Sequence, residues 1–414
     1  MYKLFKDEIV KFLFFISLIA SSSVFSAEYI VKLRSSANLT NLLYQSFDGP
    51  IDEVAQGNTF LIKTDQKSRL IELSNHPDVE YIEPNYRISI DDDVLDVDVV
   101  KDPKFSKQWG LKNKYGVDIN IEKAWEMTKG SKDIKIAVID TGIDYNHPDL
   151  KDQMWVNEAE LNGEKGVDDD GNGYIDDIHG ANLIKGDGDP MDDQGHGTHC
   201  AGVIGATHNN KGIAGVMANV QLMGLKFLDS SGRGDVVAAI KAIDYAIAQK
   251  VDIMSNSWGS TEESKALEEA VQRASDAGIV FVVAAGNAGT NNDNKPFYPA
   301  NYNFDNVITV AAHDKKGAKA RFSNFGKETV HIYAPGTSIL STLPWNRYGK
   351  RSGTSMAAPF VSGIIGLQLA MGEGLLASDI KERIIKTSVT SRRLENTVSQ
   401  GRVDAFRVLT DLRN

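Results

Sequence analysis

A chain of 414 residues with a formal net charge of −11 is longer than one hydrophobic core ordinarily fills, and its acidity argues against non-specific binding to nucleic acid. Hydrophobic residues make up 42% and charged residues 24%, the balance of a folded globular protein rather than a disordered or fibrous one. The single cysteine, Cys200, excludes an intramolecular disulfide, so an exported form of the chain needs another staple, and bound metal is the obvious candidate.

In chain order, residues 1–27 carry Lys3, Lys6 and Lys11 ahead of the apolar run 12–20 and end in small residues at Ser26 and Ala27. That is the layout of a secretory signal peptide cleaved after Ser26 or Ala27; the apolar run is short for a bilayer span, although an uncleaved anchor is the other reading. The expected location is extracellular or periplasmic. Residues 28–90 read as a small α+β unit, with strands over 29–33, 59–63 and 79–86 and a helix over 67–75. Residues 91–102 form an acidic linker (Asp91, Asp92, Asp93, Asp96, Asp98, Asp102) without a steady period. It is expected to be a solvated tether.

From residue 134 onward strands and helices alternate. The apolar runs 134–139, 221–226, 252–255, 279–284 and 307–311 read as strands buried on both faces. Between them Asp235 caps a helix with Val236, Ile240, Ile243 and Ile247 on one face. Leu267, Ala270, Val271 and Ala274 mark another, stopped by Gly278. The predicted class is α/β, a parallel sheet sandwiched by helices, in which sites collect at the carboxyl ends of strands.

Three segments carry chemistry. Ile136-Ala137-Val138-Ile139-Asp140 ends a strand in a carboxylate, followed by the turn Thr141-Gly142. Gly195-His196-Gly197-Thr198-His199-Cys200 sets a histidine between glycines before an apolar helix. Gly353-Thr354-Ser355-Met356-Ala357-Ala358-Pro359 sets a serine before an apolar helix expected over 356–369, where unpaired N–H groups and the helix dipole favour an oxyanion. A serine hydroxyl needs a base, and the base needs an orienter. Taken singly, Asp140 also reads as a cap or turn former and Ser355 as a cap, and a histidine near glycines, as His199 is, need not be catalytic.

The order Asp140, His196, Ser355, together with Ala284-Ala285-Gly286-Asn287, resembles the signature blocks of the subtilase family of serine proteases, from about Asp102 to the C terminus. The resemblance implies a catalytic domain over 103–414 in which Ser355 is the nucleophile, His196 rather than His199 the base, Asp140 its orienter and Asn287 the oxyanion donor. It implies that 28–90, whose end His76-Pro77-Asp78-Val79-Glu80-Tyr81 resembles a subtilase propeptide, is an intramolecular chaperone and inhibitor, and that a maturation cleavage falls in the linker 91–102. Peptide substrates would add as a strand between Ser257-Trp258-Gly259 and the glycine-rich loop at Gly232, beside Gly286. At the base of the primary specificity pocket, commonly small in the family, stands Phe297, which is either a pocket wall or a core residue. The expected protein is a secreted, self-processing, monomeric serine endopeptidase acting on protein or peptide substrates and no nucleic acid. A transpeptidase or macrocyclase on the same fold is the alternative, though no added capping element is evident between the blocks.

Two segments point to structural calcium. In 168–177, Asp168, Asp170, Asn172 and Asp176 occupy the oxygen-ligand positions of an EF-hand-like loop with Gly173 at the turn, but His179 stands where the closing glutamate belongs. By the resemblance, Asp102, Asp149 and the loop 207–213 with Asn209 match the family's strong calcium site. The loop 187–193 reads equally as a third site or an acidic turn.

Overall fold

The computed structural model describes residues 27–413 except 35–42, 44–46, 48–49, 56–57, 91–92 and 99–104. The signal-peptide reading of 1–26 and the ligand reading of Asp102 lie outside the described residues. The chain divides into two compact units between Asn85 and Tyr86.

The first unit holds β1 (Ala27–Leu33), β2 (Ile51–Ala55), β3 (Thr59–Thr64), α1 (Lys67–Ser74) and β4 (Val79–Pro84) in an antiparallel sheet of order β2-β3-β1-β4. Val31, Leu33, Phe60, Ile62, Leu70, Leu73 and Val79 form its core. The edge strand β2 is missing from the sequence reading because Ile-Asp-Glu-Val breaks the apolar alternation and its pairing shifts register between Glu53 and Ala55.

The second unit begins with β5 (Arg87–Ser89) and β6 (Asp93–Asp98). Its main elements follow as β7 (Gly130–Asp140), β8 (Gly180–Asn182), α2 (His196–Gly205), β9 (Asn219–Lys226), β10 (Arg233–Asp235) and α3 (Val236–Ala248). Then come β11 (Ile253–Asn256), α4 (Lys265–Asp276), β12 (Val280–Ala284), β13 (Val307–His313) and β14 (Ile332–Pro335). The hairpin β15 (Ile339–Leu343) and β16 (Arg347–Ser352) leads into α5 (Thr354–Leu369), and β17 (Val389–Thr390) and β18 (Gly401–Arg402) close the unit.

A nine-stranded sheet of order β17-β18-β14-β13-β12-β11-β7-β9-β8 is parallel apart from its β17–β18 edge. Every residue of β11, β12, β13 and β14 is buried; the first three are legible as apolar runs, whereas the short β14 is not among the expected strands. Helix α5 is apolar all round, as a helix surrounded by protein must be; it packs on α2 and on strands β11 to β14. Helices α3 and α4 pack on each other, their first turns capped by Asp235 and Ser264 side chains that accept from Ala238 N and Leu267 N.

The acidic stretch expected as a tether contains a strand: β6 pairs antiparallel with β16, giving a sheet of order β15-β16-β6. Edge pairing uses main-chain groups, which leave no mark in side-chain period. No helix among the described residues is long and apolar enough to cross a membrane.

Candidate active site

Asp140 is the last residue of β7 and His196 the first of α2, so the crossover brings a strand's carboxyl end against a helix N terminus. His196 Nδ1 lies 2.8 and 2.9 Å from the two Asp140 carboxylate oxygens, and both side chains are buried. This contact places the proton on Nδ1 and directs Nε2 away from the acid. Gly195, at the helix cap with φ of 102°, takes a left-handed turn that a side chain would resist.

Holding this pair is a buried network that sequence reading missed. The Thr141 backbone N–H donates to Asp140 Oδ1 at 2.7 Å, while its hydroxyl accepts from Gly197 N at 2.9 Å and donates to Asp192 Oδ1 at 2.9 Å. Asp192 also accepts from Gln194 N, Gly195 N, Thr198 N and Thr198 Oγ1, so a single carboxylate ties the Asp140 turn to the His196 helix. Burial pushes its carboxyl above the usual range, opposed by these donors. Lys226 Nζ completes the brace, donating to Thr141 O, Leu228 O and Asp193 Oδ1.

Ser355 sits in the first turn of α5, 3% exposed, with Oγ 3.2 Å from Ser257 O. Ser257 returns a bond from its own hydroxyl to Ser355 O at 2.9 Å. Asn287 Oδ1 accepts from Thr354 N at 2.8 Å and Thr354 Oγ1 at 3.0 Å, which fixes the amide plane and makes Nδ2 its donor end. Gly286 N donates to the same Thr354 hydroxyl at 3.1 Å. His199, one turn along α2, is a buried helix residue as expected, with Nε2 on Ile339 O and burial holding its pKa well below the usual value.

The cleft is built on these residues. Ser257, Trp258, Gly259, Gly286, Asn287, Phe297 and Ser355 line one cavity of about 20 Å³ together with Ser89 and Ile90. Phe297 closes against Gly259 and Gly286: a Cβ on Gly259 would fall 2.3 Å from its Cε1, and one on Gly286 3.1 Å from its Cδ1. Trp258 is buried against Phe227, with ring centroids 4.9 Å apart. Gly232 is not among the lining residues; it lies behind Ile90, whose N–H donates to Gly232 O at 3.2 Å, next to the pairing of β10 with β5.

Away from the cleft, carboxylate oxygens of Glu160, Asp168 and Asp170 converge within 4.8 Å of one another. Glu160, on a short helix before the loop, was missed by reading the loop alone. The Asn172 amide donates to Asp170 and to Asp177, while the Asp176 carboxylate turns to Gly166 N and is not among those that converge. Asp177 is fully buried, accepts from Asn157, Asn172 and Tyr245, and burial pushes its carboxyl up to about 6. Elsewhere, Asp149 Oδ2 accepts from Ile213 N and Tyr348 Oη, but its buried Oδ1 and the buried Thr207 hydroxyl have no hydrogen-bond partner. Asn209 Oδ1 accepts from Lys211 N at 2.8 Å, and its Nδ2 reaches Pro148 O at 3.5 Å. Three convergent acids at one place and two orphaned hard oxygens at the other are donor sets that suit calcium.

A carboxylate-bound histidine, a serine in the first turn of a buried helix and an amide fixed by Thr354 are the residue types that serine-nucleophile chemistry needs. The sequence profile of the subtilase family matches residues 131–405, and the chain belongs to that family. It is 36% identical over 310 residues to thermitase of Thermoactinomyces vulgaris, covering 74% of this chain and 98% of that one. It is 35% identical over 340 residues to the thermophilic serine proteinase of Bacillus sp. strain AK1, covering 82% and 74%. Subtilisin-like protease 1 of Plasmodium berghei strain Anka is 35% identical over 359 residues, 82% of this chain but 58% of that longer protein.

Proposed function

We propose that the protein is an exported serine endopeptidase that processes itself and hydrolyses protein or peptide substrates. The observation that carries this reading is the two-oxygen contact of Asp140 with His196 Nδ1, in a site where Ser355 and Asn287 line one cavity. Ser355 Oγ attacks the peptide carbonyl carbon as His196 Nε2 takes its proton and passes it to the leaving amine. Water then repeats the sequence on the acyl-enzyme. Asp140 holds the tautomer and stabilises the imidazolium; Asp192, through Thr141 and the Gly195 turn, is a positioning residue for both. Digestion of casein by the wild-type protein tests the reading, since a ligase would join peptides instead and a dead binding protein would do neither.

Asn287 Nδ2 and the Ser355 N–H are assigned to the oxyanion. Replacing the corresponding donor in subtilisin costs about 10²–10³ in rate, and Asn287→Ala should cost the same in kcat with KM nearly unchanged. A raised KM with kcat unchanged would place Asn287 in substrate binding instead.

Phe297 is assigned as the wall that keeps the primary pocket small. Phe297→Gly should raise kcat/KM for peptides with a large side chain before the cleaved bond by about tenfold or more. Profiling a peptide library checks this, and an unchanged profile would make Phe297 a packing residue.

Residues 28–90 are assigned as propeptide and inhibitor, and calcium as a structural ion. Glu160, Asp168 and Asp170 would hold one ion, with Asn172 and Asp177 behind them. Asp149 and the loop containing Asn209 would hold another. The ion supplies no step of the chemistry; it offsets repulsion among buried or clustered carboxylates.

A further inference from the structure

Of the five tryptophans, four are packed: Trp155 and Trp258 are buried, and Trp109 and Trp125 are half-buried with their indole N–H groups on Thr337 O and Val216 O. The fifth, Trp345, is 68% exposed. It stands in the turn Pro344-Trp345-Asn346 between β15 and β16, where Leu343 pairs with Arg347. Trp345 and Asn346 both take left-handed backbone, with φ of 63° and 56°. Asparagine tolerates that region and glycine would sit there without strain, but a bulky side chain is forced into it. An indole that is neither buried nor at ease in its backbone adds little to the fold, so its use lies in what it offers at the surface.

The tip is fixed from three directions. Trp345 N donates to Asp144 Oδ2 at 2.8 Å, and Asp144 N donates in turn to Thr198 Oγ1 of α2, two residues beyond His196. The Arg347 guanidinium lies 4.6 Å from the indole centroid, and its Nε donates to Pro344 O at 3.0 Å. Pro344 abuts the turn ahead of His196: a Cβ on Gly195 would fall 3.0 Å from its Cδ. The acyl half of a substrate lies in the cavity lined by Ser257, Gly259 and Phe297, and the amine half departs past His196, which protonates it. The tip meets the His196 turn and so borders the amine half. One face of the indole carries the cation while the rest is open, a rigid flat platform of the kind that anchors an aromatic partner by offset stacking.

We propose that Trp345, stacked on Arg347, is a specificity-determining residue that holds an aromatic side chain of a protein substrate beyond the cleaved bond. The assignment rests on the endopeptidase reading and adds the substrate class to it: extended segments carrying phenylalanine, tyrosine or tryptophan on the leaving side. Trp345 touches none of the reacting atoms. It adds contact area that is present before and during the reaction alike, so it acts on KM more than on kcat.

The test uses wild-type protein that digests casein and a set of peptides sharing one sequence before the cleaved bond. A single phenylalanine is moved through the second, third and fourth places after that bond, against alanine controls. At one of these places phenylalanine should lower KM and raise kcat/KM about tenfold, equivalent to about 1.4 kcal/mol, and Trp345→Gly should erase the gain. No place at which phenylalanine helps, or a gain that survives Trp345→Gly, would overturn the assignment while leaving the protease reading intact. Failure to digest casein would sink that reading itself. A gain for aspartate in place of phenylalanine would overturn the aromatic class and give the contact to Arg347 alone. A packing role is read separately, on the Ser355→Ala background. There Trp345→Gly should melt within about 2 °C of its parent or above it, because glycine relieves the left-handed backbone, whereas a fall of more than about 5 °C would make the indole a packing residue.

Discussion

Ser355→Ala is expected to lower casein hydrolysis by about 10⁴–10⁶ and to leave the protein uncleaved within residues 91–102. The size of the effect follows from the loss of the nucleophile, because no neighbouring group can replace it. Ser257 Oγ is committed to Ser355 O at 2.9 Å, and Cys200 Sγ lies 3.5 Å from that same backbone oxygen. The fold should survive, since the lost hydroxyl makes one weak contact, at 3.2 Å to Ser257 O, and the rest of α5 is buried by apolar packing. Residual activity at the level of the oxyanion donors alone would remain, whereas near wild-type hydrolysis would remove Ser355 from the chemistry. Intact-mass measurement on the purified variant checks maturation separately. A variant that is still trimmed when pure would show that self-processing is not carried out by this serine.

The features that could be read from the sequence were those written in side-chain pattern. Strands β7, β9, β11, β12 and β13 each carry a mainly apolar run because both faces of the sheet are covered, and α5 is apolar nearly all round because protein surrounds it. Asp140, His196, Ser355 and Asn287 stood out through their flanking glycines and small residues. Asp192 did not, since a carboxylate in the acidic stretch 187–193 looks like a solvated turn until the fold buries it under backbone donors. Glu160 was hidden because it reaches the 168–177 loop from a separate helix. The strand β6 was hidden because its partners are main-chain groups of β16, remote in sequence. Side-chain period records what a residue buries; it says little about which distant backbone it pairs with.

Chelation is expected to lower the thermal midpoint of the Ser355→Ala protein, a form that cannot digest itself, by about 5–10 °C, and restored calcium should recover it. The cause is charge brought together by folding. Glu160, Asp168 and Asp170 converge within 4.8 Å, and Asp149 Oδ1 is buried without a donor, so without a cation the folded state retains repulsion and an unmet acceptor that the unfolded chain relieves in water. An ion that binds only the folded state adds about 2.7 kcal/mol at a hundred times its Kd. Asp177 adds a pH signature. Burial raises its carboxyl to about 6 from an ordinary 3.8, so the calcium-free folded protein takes up a proton before the unfolded chain does. Stability from this group is fully present below about 4 and is lost as pH rises through 6. Buried histidines such as His313 and His331, whose pKa values burial lowers, pull the other way, so the Asp177 contribution is read as a difference. Between pH 7 and pH 5 the chelated Ser355→Ala protein should lose less stability than the same protein carrying Asp177→Asn, and added calcium should shrink that difference by favouring deprotonated ligands. Melts at the two pH values, with chelator and then with excess calcium, give the answer. A midpoint that chelator leaves unmoved at pH 7 would refute calcium at both clusters, and restoration by magnesium alone would refute the choice of ion.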